Sequence, residues 1–120
     1  MEKKHYSCYF QFSTDIIGGK WKSMVLWALK NGIKRSGELK KSIPKISQKM
    51  LTQQLRELED VGIVERIVHP VIPPKVEYQL TKHGEKLIPI LEDLHDWGKD
   101  YALNADVSIN LSPNANCVVS

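Results

Sequence analysis

"SQKMLTQQLRELEDVG", Ser47 to Gly62, has two faces. On a helix turning about 100° per residue, Leu51, Leu55 and Leu58 cluster within about 60° of one another. Lys49, Thr52, Gln53 and Arg56 fill an arc of about 100° on the opposite side. Ser47 is a good N-cap and Gly62 a good stop, so the spacing predicts a helix between them. No acid occurs from Ser47 to Arg56, and Glu57, Glu59 and Asp60 come only in the final turns. Two readings fit the polar face: an ordinary wet surface, or a surface that meets a polyanion.

The segments before it sharpen the choice. A helical stretch is expected from about Thr14 to Lys30, capped by Ser13 or Thr14 and broken by Gly18-Gly19 into a short leading helix and a main helix. Trp21, Val25 and Leu29 recur at a spacing of four along the main helix, and Asn31-Gly32 ends it. A short helix, about Ser36 to Ser42, is capped by Ser36, turns Leu39 inward with Ile43, and is stopped by Pro44. A short helix, a tight turn and then an amphipathic helix is the helix-turn-helix plan.

After Gly62 the hydrophobic period changes from helical to alternating. "IVERIV" (Ile63 to Val68) and "KVEYQL" (Lys75 to Leu80) are β-like, the second with Val76, Tyr78 and Leu80 on one face. "HPVIPP" between them carries three prolines, which forbid a continuing ladder and stiffen the tip. Thr81 caps a last helix to about Leu103, with Leu87, Ile90, Leu91, Leu94 and Trp97 as a broad apolar stripe and Pro89 as an expected kink. That stripe is either intramolecular core or an interface between two copies with the first helix; a terminal helix has few partners within so small a chain, which favours the interface. The fold class is therefore mainly α with a small β-hairpin: a winged helix-turn-helix, dimeric through its terminal helices. Residues 1–13 form an N-terminal arm, 14–103 the winged domain with its dimerisation helix, and 104–120 a loose C-terminal tail.

Composition bounds the function. A chain of 120 residues is one domain, with 42% hydrophobic and 26% charged residues. No apolar run reaches the ~20 residues of a membrane span, and the N-terminus lacks the apolar stretch of a signal peptide, so a cytoplasmic protein without a membrane partner is expected. Net charge is only +3, but from Lys20 to Arg56 there are ten Lys or Arg against one acid, Glu38, whereas from Glu57 to Asp106 there are eleven acids against five bases. A basic half joined to an acidic half suits a polyanion binder, and equally a lysine-rich solvated surface. "GGKWKS" fails the phosphate-loop pattern. The histidines His5, His69, His83 and His95 are scattered, none at metal spacing with a cysteine or another histidine, so no metal and no cofactor is expected. No nucleophile has an evident catalytic partner, so an enzyme is not expected.

Placed between a short helix and a proline-tipped hairpin, the polar face of Ser47 to Gly62 is assigned to double-stranded DNA. A glutamine amide pairs with adenine, Lys and Arg with guanine, and acids would be repelled by phosphates. Ser47, Gln48, Lys49, Thr52, Gln53 and Arg56 are the expected base readers. Lys34, Arg35, Lys40, Lys41, Lys45 and Lys75 are the expected backbone and wing contacts. His69 opens the wing, either as a phosphate contact or as a plain loop histidine. The competing expectation is a winged-helix protein-interaction module without specific DNA binding, docking a partner through the apolar last helix.

Three blocks in this order, "IIGGKWKSMVLWAL", "ISQKMLTQQLRELEDVGIVER" and "PPKVEYQLTKHGEKL", resemble the HxlR-type transcriptional regulators, winged helix-turn-helix proteins similar to the MarR group. The resemblance covers about Cys8 to Tyr101. It implies a homodimer on a near-palindromic operator, a recognition helix at Ser47 to Val61, and wing tips that reach the flanking minor groove or backbone. Many members carry a cysteine shortly before the "IGGKW" block, usually followed by proline, and several use it to sense electrophiles or oxidants. Cys8 stands at the matching position, with Tyr9 where proline is usual. The implied function is a sequence-specific DNA-binding regulator responsive to redox or electrophile stress, its effector an oxidant or small molecule. A thiol reacts as thiolate, so it needs exposure and positive charge, which Lys3, Lys4 and His5 stand close enough in sequence to supply. The plain alternative is a half-buried cysteine filling space as a small apolar residue. Cys117, in the tail, matches nothing in the family.

Overall fold

The computed structural model describes residues 5–109, so Lys3, Lys4, Cys117 and most of the tail lie outside the described residues. Five helices and two strands follow one another as α1 (Tyr9–Ile17), α2 (Lys22–Leu29), α3 (Ser36–Ser42), α4 (Gln48–Asp60), β1 (Val64–His69), β2 (Lys75–Leu80) and α5 (Lys82–Asn104). This is the winged helix-turn-helix architecture.

Burial explains why these segments fold together. Val25, Leu26, Ala28 and Leu29 of α2 meet Leu39 of α3, Leu51, Leu55 and Leu58 of α4, Val64 of β1, Leu80 of β2 and Leu91 of α5 in one core. Burying a leucine contributes about 1.5–3 kcal/mol, so the three leucines of α4 alone fix its rotation about its axis. That rotation turns Lys49, Gln53 and Arg56 outward.

Caps set the helix ends. Ser47 Oγ accepts from Met50 N at 3.0 Å and starts α4, and Thr81 Oγ1 accepts from Gly84 N at 3.2 Å and starts α5. Thr81 also donates to Gly62 O at 2.6 Å, which ties the start of α5 to the end of α4. Gly84 is required where α5 passes Ile63, just ahead of β1, since a Cβ there would collide with the Ile63 carbonyl. The hairpin is antiparallel, with Val64 opposite Leu80 at its base and His69 opposite Lys75 at its outer end. Lys34 joins the sheet by a bridge to Tyr78, with N–O distances of 2.9 and 2.7 Å.

Two local expectations are corrected, the start of the leading helix and the cap of α3. The leading helix begins at Tyr9 rather than Thr14, and Ser13 and Thr14 lie inside it, their hydroxyls donating back to Tyr9 O and Gln11 O. The α3 cap is Arg35 rather than Ser36, with Glu38 Oε1 accepting from Arg35 N at 2.9 Å. α5 runs on through Pro89 to Asn104 as one helix.

The apolar stripe of α5 divides into two seams. Gly84, Ile88, Leu91 and His95 fall on the side that packs inward, whereas Ile90, Leu94, Trp97 and Tyr101 lie about 100° away on the helix. Leu91 is 4% exposed and belongs to this chain's own core, which corrects its assignment to an interface. Leu87 is half-buried against that core. Ile90, Leu94 and Trp97 are all more than half exposed. On α1, Tyr9 and Phe10 are exposed in the same way, and no residue of α1 is buried.

Candidate nucleic-acid interface

The turn between α3 and α4 sets the angle of α4. Ile43 and Ile46 are buried at its two ends, and Lys45 between them has φ 67°, a left-handed conformation that a side chain disfavours. The buried isoleucines hold it there and leave the lysine side chain exposed, beside Ser47 at the start of α4.

Ser47, Gln48, Lys49, Gln53 and Arg56 are exposed and Thr52 half-buried on the outward side of α4. Gln48 Nε2 donates to Thr52 Oγ1 at 3.2 Å, so these two form one unit. Gln54 turns inward, where Nε2 lies 3.2 Å from Met50 Sδ, and takes no part in the outer face. Arg35, Lys40, Lys41 and Lys45 are exposed around α3 and the turn, while Lys34 is half-buried through its bridge to the sheet.

Two acids, neither singled out by the sequence pattern, organise this surface. Glu57 Oε1 lies 2.9 Å from Lys22 Nζ, joining α4 to α2. The Lys22 ammonium holds the Glu57 carboxyl below its ordinary range, against the opposing pull of burial.

The second acid is Glu77. Its Oε1 lies 2.7 Å from His69 Nε2 and its Oε2 3.8 Å from Lys75 Nζ. Both wing candidates therefore meet Glu77, His69 from the opposite strand and Lys75 from two residues along the same strand. Beyond them the tip is apolar, with Ile72 fully exposed.

Cys8 is exposed and stands at the N-cap position of α1. Tyr6, Ser7, Tyr9 and Phe12 line an open hollow around it. The Tyr6 ring meets Phe12 edge-on at 5.1 Å, and its hydroxyl donates to Asp15 at 2.8 Å, which raises the phenol's pKa. Trp21 and Trp27 pack against the core, and Trp27 lies between the His95 ring at 5.2 Å and the Lys30 ammonium at 4.3 Å. Among the described residues no group of three His, Cys, Asp or Glu could hold a metal ion, and no helix is long and apolar enough to cross a membrane.

Known proteins share this arrangement. The model of the HxlR-like helix-turn-helix family matches residues 16–106. The uncharacterized HTH-type transcriptional regulator YkvN of Bacillus subtilis is 54% identical over 99 residues, 82% of this chain and 84% of its own length. A second uncharacterized HTH-type transcriptional regulator, from Methanothermobacter thermautotrophicus, is 47% identical over 113 residues, 94% of this chain and 86% of its own. Among solved structures, the redox regulator HypR in its oxidized form superposes with a TM-score of 0.74 at 47% identity, over 78% of this chain and 96% of that one. The chain belongs to the HxlR-like helix-turn-helix family and is a transcriptional regulator.

Proposed function

We propose that this regulator binds a near-palindromic DNA operator as a homodimer, with α4 of each copy in the major groove. The observation that carries the reading is the outer face of α4: Gln48, Lys49, Gln53 and Arg56 exposed on a helix whose opposite face is locked into the core by Leu51, Leu55 and Leu58. Ser47, at the helix start, and Thr52 complete the reading set. Arg35, Lys40, Lys41 and Lys45 meet phosphates and add affinity without sequence choice, and Lys34 supports them. If a dimer neutralises ~8 phosphates, affinity falls by roughly three to five powers of ten between 50 and 200 mM salt. The hairpin lies beside the recognition helix as a wing that steadies the complex.

The dimer is supported by the exposed outward seam of α5, Ile90, Leu94, Trp97 and Tyr101, and by the exposed aromatic residues Tyr9 and Phe10 of α1. Trp97 and Tyr101 stack at 5.3 Å, which presents one flat aromatic surface. Two recognition helices then address half-sites about 34–36 Å apart, one DNA turn. The protein acts in the cytoplasm and does no chemistry on its ligand.

Cys8 is the input. It is exposed, it begins α1, and HypR, a solved structure similar to this chain, is a redox regulator. Hydrogen peroxide transfers one oxygen to the thiol sulfur, giving a sulfenic acid, and its other oxygen leaves as water. A polar group beside Tyr9 and Phe10 then alters how α1 packs in the dimer and moves the two recognition helices out of register with the operator. The test is a gel-shift on DNA upstream of the protein's own coding sequence, with and without hydrogen peroxide. Specific binding is expected to be lost on oxidation and retained in Cys8→Ser. Specific binding that ignores the oxidant removes Cys8 from the mechanism and leaves the DNA reading intact.

A further inference from the structure

The wing is electrically neutral where a DNA contact is expected of it. From Val64 to Leu80 its ionised residues are Glu65, Arg66, Lys75 and Glu77, two of each sign, whereas the segment from Lys20 to Arg56 carries ten bases and one acid. The geometry shows where the cancellation occurs. In the strand register His69 faces Lys75 and Ile67 faces Glu77, so His69, Lys75 and Glu77 share one face at the outer end of the hairpin. The Glu77 carboxylate divides between the two, Oε1 at 2.7 Å from His69 Nε2 and Oε2 at 3.8 Å from Lys75 Nζ. It also sits deeper than either, its side chain 16% exposed against 40% for His69 and 41% for Lys75.

We propose that Glu77 restrains the wing: it holds His69 and Lys75 against its own carboxylate and so withholds them from DNA phosphates. Resting on the DNA-binding reading above, this names the residue that limits the wing's share of the affinity. The chemistry is specific. A carboxylate only accepts, so the Nε2–H of His69 is committed to Glu77 and is not offered to a phosphate. Lys75 must leave its ion pair to reach a phosphate, and a phosphate that approaches meets the Glu77 charge. Toward the base of the same face, Gln79 Nε2 donates to Glu65 Oε2 at 3.0 Å, which gives a second acid on the hairpin without a cation beside it.

The experiment is fluorescence anisotropy of labelled duplexes, the protein's own upstream DNA and a random sequence, titrated from 50 to 300 mM salt. Glu77→Gln keeps the shape and removes the charge. Freeing Lys75 for one more phosphate per copy steepens the salt slope by about 0.9 for each copy and tightens binding by roughly five- to tenfold per copy at 0.1 M salt, equally on both duplexes. Glu77→Thr, a neutral strand former, is expected to show the same gain. Lys75→Ala is expected to change little in the wild-type background and to abolish the gain in Glu77→Gln. Glu65→Gln, the same charge change away from the cations, is expected to stay within about twofold of the wild type. A gain of binding cannot come from a misfolded variant. The proposal is overturned if Glu77→Gln and Glu77→Thr bind no better than wild type, if Glu65→Gln gains as much, or if Lys75→Ala costs the same in both backgrounds. Wild-type protein that retains neither duplex even at 50 mM salt overturns the DNA reading and this inference together.

Discussion

Lys45 shows how one residue can serve the fold and the ligand in opposite senses. Its φ of 67° is strained for a side chain, and glycine would adopt it freely. Lys45→Gly is expected to raise stability by roughly 1 kcal/mol, seen as a higher Tm, while weakening binding to any duplex. An unchanged or lower Tm would show that the turn carries no strain there. Glu57 gives the pH dependence. Its folded carboxyl lies below the ordinary 4.5, so its pair with Lys22 stabilises the fold above that value and is lost as pH falls through the folded one. The pair is partly exposed, so its contribution is small. Glu57→Gln is expected to lower Tm by about 1–5 °C at pH 7 and to match the wild type near pH 3. A difference that persists in acid would assign the effect to packing. Neither Glu57 nor Glu77 was legible as an organiser in the sequence. Lys22 and Glu57 are thirty-five positions apart, and Glu77 meets His69 only through the strand register. Counting charges along the chain treats such partners as free.

At the scale of elements, the helices with a buried face were readable and the one without was not. Leu51, Leu55 and Leu58 mark α4 because the core demands them at helical spacing, and Ser47 caps it where the pattern places it. β2 follows its alternation from Lys75 to Leu80. α1 touches the core only through the half-buried Ile16 and Ile17 at its end, so Tyr9, Phe10 and Phe12 leave no buried stripe to read, and the expected start at Thr14 falls five residues after the observed one. The stripe of α5 looked like one surface because two seams about 100° apart merge when only apolar positions are counted. Leu91 belongs to the inward seam and Leu94 to the outward one. α3 and the turn after it supply exposed cations with a single acid, Glu38, whose carboxylate is taken up by the Arg35 backbone amide. Lys40→Ala is therefore expected to weaken operator and random DNA alike and to reduce the salt slope by about one per copy. A loss confined to the operator would make Lys40 a base reader.

At the scale of the molecule, the core faces one way and the unpartnered apolar residues another. α2, α3, α4 and the hairpin close around Leu26, Leu55 and Val64, and α5 adds Leu91. Ile90, Leu94, Trp97 and Tyr101 remain outside that core. Leu94→Glu is expected to convert a dimer into a monomer in sedimentation at micromolar concentration and to lower operator affinity at least about tenfold, since two half-sites are no longer bound together. Wild-type protein that sediments as a monomer at 100-fold higher concentration would remove the dimer from the account. The central claim, however, is that α4 reads sequence. The most direct measurement compares the affinity of wild type and Gln53→Ala for the preferred upstream fragment and for random DNA at one salt concentration. The account predicts a loss of roughly 1–3 kcal/mol on the preferred fragment and much less on random DNA. Equal losses on both would contradict it and make Gln53 a structural or phosphate-contacting residue.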